Sequence, residues 1–272
     1  MEYIYITNNP KLAQRAQYLS VERIMVDLEI MGKVERQGAR DVVISGHSLD
    51  DVRKIKEVVK FSKLQVRINP IHNESKREIE DVILAGADII MLPMFKTKKE
   101  VEQFVLMVKG RAKASLLMET PQAVTRIDDI LNVDGIDEIH IGLNDLHLGM
   151  GLAFMFELLS GGIVEYILSK IKNKGIQYGF GGIAKFGSGV IDPKLILSEH
   201  VRLGSTMVIL SRSFYNCHNL SNLKRDDFGY QLKKVRKYYE YLTSLSAKDL
   251  AENRGKLVQQ VISYVNEKTR VE

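Results

Sequence analysis

The sequence predicts a (β/α)8 TIM barrel of the α/β class with a C-terminal helical extension, and two observations lead to this prediction. Eight short apolar, β-branched runs recur along the chain, and most gaps between them carry the period of an amphipathic helix. Strands that alternate with helices in this way form parallel sheets, and eight of them close into a barrel. We expect residues 1–244 to form the barrel and residues 245–272 a helical arm.

The eight predicted strands are residues 3–6, 23–28, 64–68, 88–92, 115–118, 138–141, 176–180 and 207–210. The helical period is clearest in residues 98–108 and 163–172, where apolar side chains recur every three or four positions. Residues 122–131 should form the helix between the fifth and sixth strands. After residue 215, residues 224–243 and 247–265 have helical patterns. The first is the expected last barrel helix, and the second is a surplus arm that would cover a neighbouring subunit.

One further apolar run allows two assignments of the first barrel strands. Residues 41–45, Asp-Val-Val-Ile-Ser, also have the character of a strand. Either this segment is a ninth short strand in the long connection from the second strand to the third, or it is itself the second strand. In the latter case residues 3–6 lie outside the barrel.

Composition indicates an ordinary globular chain and excludes several classes. The chain has 272 residues, of which 45% are hydrophobic, enough for one large barrel. No apolar stretch approaches the roughly 20 residues of a membrane helix, so we expect neither a membrane partner nor a signal peptide. A single cysteine, Cys217, excludes an internal disulfide framework, and a reducing cytoplasm is the expected location.

The net charge of +5 does not by itself indicate a nucleic-acid partner. Lys and Arg residues are dispersed, and their densest cluster, residues 224–237, lies on a helix-like stretch. A solvated helix face is the simpler interpretation of that cluster, so we predict no nucleic-acid binding. The charge is compatible with an anionic small substrate.

Two acidic residues that follow neighbouring strands predict a metal site. Glu119 ends Leu-Leu-Met-Glu (116–119), and Asp145, which lies 26 residues later, follows Ile-His-Ile-Gly-Leu-Asn (139–144). Parallel neighbours lie roughly 4.8 Å apart, so side chains at their C-terminal ends can reach one ion. Two carboxylates with room for water and substrate oxygens suit Mg²⁺ or Mn²⁺ better than Zn²⁺. The alternative is that each acid caps the helix that follows it.

Arg67 is a charged residue inside the otherwise apolar segment Val-Arg-Ile-Asn-Pro (66–70). A buried charge needs a partner, and the planar guanidinium would bind a carboxylate or an enolate oxygen. The alternative is a structural salt bridge to Asp27, Glu29 or Glu119, and the two roles can coexist.

Other strand ends carry further candidates. Gly142, Leu143 and Asn144 lead into a helix start whose backbone N–H groups would hold a substrate carboxylate, or else form a capped turn. His47 is a candidate general base or a surface histidine. Residues 179–183 and 211–213 follow the last two strands, where barrel enzymes often bind phosphate, although glycine there also permits close packing. His140 is expected to be a hydrogen-bonded core histidine.

Together these segments resemble the HpcH/HpaI aldolase and citrate lyase β-subunit family of metal-dependent carbon–carbon lyases. The likeness covers most of residues 23–215. Val-Arg-Ile-Asn-Pro (66–70) is similar to the family's arginine strand, and Gly-Ala-Asp-Ile-Ile-Met-Leu-Pro-Met (86–94) to its fourth strand. Met-Glu-Thr-Pro-Gln-Ala-Val (118–124) and Val-Asp-Gly-Ile-Asp-Glu-Ile-His-Ile-Gly-Leu-Asn-Asp-Leu (133–146) are similar to its two metal segments.

The resemblance implies a Mg²⁺- or Mn²⁺-dependent lyase, of the class II aldolase type, that acts on a bond to the enolate of a pyruvate-like 2-oxo acid. An aldehyde or an acyl thioester would be the other substrate, and a homo-oligomer is implied. Glu119 and Asp145 would be the metal ligands. Arg67 would stabilise the enolate oxygen, and N–H groups around Asn144 would hold the carboxylate.

The two branches of the family align the N-terminal part differently. Against the aldolases, Gly46-His47 resembles the segment of the catalytic base histidine, with one residue missing before it. Against the citrate lyase branch, Met-Val-Asp-Leu-Glu (25–29) resembles the acidic motif of the second strand, which assigns Asp27 and Glu29 to substrate binding. An acyl-CoA lyase and a non-catalytic barrel that serves as a binding or assembly subunit are the two alternatives.

Overall fold

Eight parallel strands form a closed barrel in the computed structural model, which describes residues 1–32, 46–214 and 227–269. The strands follow one another around the barrel in chain order. They are β1 (Glu2–Ile6), β2 (Arg23–Asp27), β3 (Lys63–Arg67), β4 (Ile89–Leu92), β5 (Lys113–Met118), β6 (Glu138–Ile141), β7 (Gln177–Ile183) and β8 (Met207–Leu210). The predicted (β/α)8 barrel is confirmed.

Twelve helices of the described residues surround the barrel and extend it at the C-terminus. They are α1 (Pro10–Tyr18), α2 (Leu49–Val58), α3 (Ser75–Leu84), α4 (Lys98–Val108), α5 (Pro121–Thr125), α6 (Ile127–Ile130), α7 (Leu143–Gly149), α8 (Glu157–Ser160), α9 (Ile163–Lys172), α10 (Pro193–Leu203), α11 (Asp227–Thr243) and α12 (Ala247–Thr269). Within these described ranges, no helix has both the length and the apolar character needed to cross a bilayer.

Two sequence expectations need correction. The alternative that leaves residues 3–6 outside the barrel is wrong, because β1 pairs with both β2 and β8; residues 41–45 lie outside the described residues. The prediction of a single helix over residues 122–131 is also wrong. It is divided into α5 and α6 at Arg126, whose φ of −103° and ψ of 20° leave the helical region. The Arg126 guanidinium donates to the Lys96 carbonyl at 2.8 Å, a contact with another loop.

The barrel interior is layered along its axis, as β2 illustrates. Alternate residues of a strand share a face, so Arg23, Met25 and Asp27 all belong to one face of β2. Arg23 closes the N-terminal end, where its guanidinium donates to Glu138 Oε1 at 2.5 Å. Met25 belongs to an apolar layer with Ile4, Met91, Leu117 and Met207. The C-terminal end is left for the polar side chains described below.

The C-terminal helix α12 packs against α10 and α8 of the same chain. Leu257 and Val261 are buried in this contact region. Arg254 of α12 pairs with Glu165 of α9 at 2.9 Å, and Glu165 also pairs with Arg202 of α10. The apolar stripe of the arm therefore lies on its own barrel, and the domain boundary at residue 244 stays a prediction.

Candidate active site

A cavity of about 380 Å³ opens at the C-terminal end of the barrel. Six of the nine predicted site residues line it: Arg67, Glu119, Gly142, Leu143, Asn144 and Asp145. The other lining residues are Tyr5, Ile6, Leu117, His140, Met155, Gly181, Gly182, Ile209, Leu210, Ser211 and Arg212. The topology explains this grouping, because the C-terminal ends of all parallel strands meet at one end of a barrel.

Glu119 follows β5 directly and is only 3% exposed. Its Oε1 accepts a hydrogen bond from the backbone N–H of Met94 at 3.3 Å. A Cβ atom added to Gly142 would lie 2.6 Å from Glu119 Oε2 and 2.8 Å from Glu119 Cβ. Only glycine at position 142 therefore lets the carboxylate side chain rest against the end of β6.

Asp145 lies in the first turn of α7. The helix begins after Gly142, which provides no side-chain hydrogen bond to the first N–H groups. The helix that follows β5, α5, is capped by Thr120, whose hydroxyl accepts a hydrogen bond from the Ala123 N–H at 3.1 Å. The N-cap positions of these two helices are therefore Thr120 and Gly142, not Glu119 and Asp145.

Arg67 is held in place by two acids of β2 and its following loop. Its Nε and Nη2 donate to the two carboxylate oxygens of Asp27 at 2.8 and 2.7 Å, and Glu29 Oε2 lies 3.5 Å from Nε. Burial acts to lower the pKa of Arg67, but the hydrogen bonds and charge of Asp27, with the charges of Glu29 and Glu119, raise it. A guanidinium has five donors, so a salt bridge and a place on the cavity wall coexist.

His47 lies outside this cavity and lines a neighbouring one of about 390 Å³. Its Nδ1 accepts a hydrogen bond from the backbone N–H of Asp27 at 3.0 Å. A neutral imidazole that accepts at Nδ1 carries its proton on Nε2. His47 would have to release the Asp27 N–H, or change tautomer, before it could act as a base.

The strand β7 carries a bulge at the edge of the cavity. Its register with β8 shifts between Gly179 and Gly182, and Gly181 has a φ of +49°. The imidazole of His140 on β6 donates from Nε2 to the Gly181 carbonyl at 2.9 Å, since a carbonyl can only accept. Burial lowers the pKa of His140 to about 4, so the ring is neutral at pH 7. His140 is therefore a hydrogen-bonded core histidine, as predicted, but it also lines the cavity.

Sequence reasoning missed the contributions of Tyr5, Ile6 and Met155 to the cavity. Tyr5 and Ile6 end β1, so the rule that polar and catalytic groups gather at strand ends could have found their location. Met155 comes from the loop between α7 and α8, and its position depends on how that loop folds back. No local pattern in the sequence predicts the position of Met155 in the cavity.

The donor set fits a small divalent cation. Among the residues that the structure describes, no group of three or more His, Cys, Asp or Glu side chains could hold a metal ion. The carboxylates that line the cavity are those of Glu119 and Asp145. Mg²⁺ is commonly bound by one or two carboxylates and completes its coordination with water and substrate oxygens. The missing side chain of Gly142 leaves the space in which the Glu119 carboxylate lies.

Comparisons with known proteins agree with this architecture. The family model described as HpcH/HpaI aldolase/citrate lyase matches residues 4–178. No curated protein matches the chain significantly.

Several solved structures share the fold. The HpcH/HpaI aldolase from Desulfitobacterium hafniense DCB-2 is 16% identical with a TM-score of 0.61, covering 90% of this chain and 93% of its own. Protein CitE from Mycobacterium tuberculosis, in complex with magnesium and pyruvate, is 13% identical with a TM-score of 0.61, covering 95% and 97%. The citrate lyase β subunit from M. tuberculosis, complexed with oxaloacetate and magnesium, is 15% identical with a TM-score of 0.59, covering 88% and 96%. At such identities the likeness establishes the fold.

Proposed function

This chain belongs to the HpcH/HpaI aldolase/citrate lyase family, and we propose that it is a divalent-metal-dependent carbon–carbon lyase. It would cleave or form a bond to the enolate carbon of a pyruvate-like 2-oxo acid, with an aldehyde as the other fragment. One observation carries this proposal: Glu119, Asp145 and Arg67 line a single cavity at the C-terminal end of the barrel. Barrel enzymes carry out their chemistry at that end.

Glu119 and Asp145 would hold the metal ion, Mg²⁺ or Mn²⁺. When bound, the ion supplies Lewis-acid stabilisation of negative charge that develops on substrate oxygens. Two observations support this assignment: both carboxylates line the same cavity, and structures of the same fold were solved with magnesium.

Arg67 would stabilise the enolate oxygen with a fixed positive charge. Asp27 and Glu29, which we predict to bind substrate, both contact Arg67, and this contact favours a positioning role for them. A guanidinium that is already oriented needs no reorganisation when charge develops in the transition state. The backbone N–H groups of Leu143 and Asn144, at the start of α7, would hold the substrate carboxylate.

A lyase acting on an acyl thioester is the second candidate, and one observation favours it. β1 is the first barrel strand, and Asp27 ends the second, as the alignment with the citrate lyase branch requires. In that alignment His47 is not the base, which agrees with its hydrogen bond to Asp27. Saturable binding of acetyl-CoA by the protein would favour this candidate over the aldolase.

The test is calorimetric titration of metal-free protein with Mn²⁺, alone and with oxalate, which imitates the enolate of pyruvate. We expect oxalate to tighten Mn²⁺ binding in the wild type. The Glu119→Ala and Asp145→Ala variants should lose both the binding and the condensation of pyruvate with aldehydes while keeping the wild-type circular dichroism. Glu102→Ala, which removes an exposed acid of α4, is the matched control.

Absence of Mn²⁺ binding in the wild type would contradict the proposal and favour a non-catalytic barrel. A homo-oligomer in a reducing cytoplasm is our prediction for assembly and location. Light scattering coupled to size-exclusion chromatography tests the first of these two.

A further inference from the structure

Charge is distributed unevenly around the cavity. Glu119 and Asp145 lie at the ends of β5 and β6, whereas Arg212 follows β8 and lines the same cavity. Arg212 is exposed, and its guanidinium makes no hydrogen bond or ion pair with any residue of the described ranges. Arg67, by contrast, is already engaged by Asp27 and Glu29. Arg212 is therefore a cation on the cavity wall whose donors are available to a ligand.

The surroundings of Arg212 strengthen its attraction for an anion. Much of the remaining wall is apolar, with Ile6, Leu117, Met155 and Ile209 among the lining residues. Charge interactions are stronger beside apolar walls than in bulk water. A substrate that fills the cavity would displace water from this region and place its own polar end against the guanidinium.

Two glycines of β7 line the same cavity as Arg212. Gly181 and Gly182 form the bulged end of β7 and present no side chain to the cavity. A Cβ atom at Gly182 would lie 3.1 Å from the Ile209 carbonyl oxygen, and one at Gly181 would lie 2.6 Å from Leu143 Cδ1, so packing against these neighbours also favours glycine at both positions. The hydrogen bond from His140 to the Gly181 carbonyl holds this bulge in place.

From these observations we propose that Arg212, with the backbone of Gly181 and Gly182, forms an anion subsite for the far end of the second substrate. The fragment that joins or leaves the 2-oxo acid would then carry a phosphate or a carboxylate group. Barrel enzymes often bind phosphate in the loops after the last two strands, and this subsite has the same location. The inference rests on the proposed function, because it names the chemical class of that reaction's second substrate.

The first experiment measures anion binding without turnover and without metal. Metal-free protein is titrated in separate series with inorganic phosphate and with acetate, so that the preferred anion is identified. We expect saturable binding of at least one anion, weakened about tenfold or more in Arg212→Gln because a charged hydrogen bond is lost. Arg77→Gln, which removes an exposed arginine of α3, should bind as the wild type does.

The second experiment measures specificity with Mn²⁺ and pyruvate present. The aldehyde pairs are glyceraldehyde 3-phosphate with glyceraldehyde, and 4-oxobutanoate with butanal. In Arg212→Gln, kcat/KM for the anionic member of the preferred pair should fall about tenfold or more, whereas that of the neutral member should not change. Arg212→Lys, which keeps the charge, should recover much of the loss.

Three outcomes would overturn the subsite: no saturable binding of either anion, equal binding by the wild type and Arg212→Gln, or equal loss of kcat/KM for both members of a pair. If the wild type turns over no aldehyde, the aldolase proposal fails, and the binding experiment alone decides whether the subsite exists.

Discussion

The close approach of Gly142 to Glu119 makes Gly142→Ala an informative substitution. The φ of −82° at Gly142 is open to alanine, so the penalty is purely steric. The new Cβ would lie 2.6 Å from Glu119 Oε2 and 2.8 Å from its Cβ, whereas ordinary contacts begin near 3.4 Å. Glu119 must therefore recede by about 0.8 Å at Oε2. Rotation of the carboxylate does not relieve the contact at Cβ, so β5 or β6 has to move.

We expect two measurable consequences of this movement. Overpacking of this kind costs about 1–3 kcal/mol of unfolding free energy, which urea denaturation followed by circular dichroism will measure. Functional groups tolerate displacements of only about 0.5 Å, so we also expect Mn²⁺ affinity about tenfold weaker and turnover about 100-fold lower. Calorimetry and the aldehyde condensation assay will measure these two quantities.

Gly255→Ala is the matched control, since an added Cβ there meets no atom within 4 Å. Gly255 lies inside α12, where alanine should be neutral or stabilising by up to about 1 kcal/mol. Unchanged stability in Gly142→Ala would refute the steric argument. Lower stability with unchanged Mn²⁺ affinity would show instead that Glu119 is not a metal ligand.

Three further predictions concern the buried ion pair of Arg23, the core histidine His140 and the C-terminal helix. Glu138→Gln should lower the unfolding free energy by about 3 kcal/mol, because it leaves the buried Arg23 guanidinium without one of its carboxylates; Mn²⁺ affinity should not change. Since burial lowers the pKa of His140 from 6.5 to about 4, the neutral ring stabilises the fold above pH 6.5 and this contribution is lost as the pH falls toward 4. Urea midpoints between pH 7 and 4.5 should fall less steeply in His140→Gln. Leu257→Ala should cost about 2–5 kcal/mol, in one unfolding transition if α12 and the barrel unfold together, and in two if residues 245–272 are an independent arm.

The strands were predictable because each is a local apolar run bounded by turn residues. The bounds of β6 and β8 agree with the sequence prediction, whereas β7 continues to Ile183 instead of ending at residue 180. That extension contains the bulge, which depends on the neighbouring β8 and on His140. The break at Arg126 likewise depends on the carbonyl of Lys96. Both features arise from contacts between segments distant in sequence, which no local pattern encodes.

The grouping of Glu119, Asp145 and Arg67 was predictable for a different reason. Barrel topology brings the C-terminal ends of all strands together, so the residues that follow each strand can be placed without knowledge of the packing. The pairing of Arg67 with Asp27 was only one of several alternatives, because it requires the register of β2 against β3. The structure sets those two residues directly opposite one another. This pairing is the basis on which we propose that Asp27 supports Arg67.

The energetics of the buried charges bear on whether this barrel is catalytic. Three acids, Asp27, Glu29 and Glu119, act on the single guanidinium of Arg67, and all three are buried. Each buried charge costs several kcal/mol of desolvation, and apolar replacements of similar size often stabilise a fold. A barrel that served only as a scaffold would gain stability by losing these charges. A divalent cation beside Glu119 would offset the excess negative charge, and at 100 times its Kd it would add about 2.7 kcal/mol to the unfolding free energy. Metal-dependent stability in the wild type, absent from Glu119→Ala, therefore separates a catalytic site from a structural salt bridge without any knowledge of the substrate.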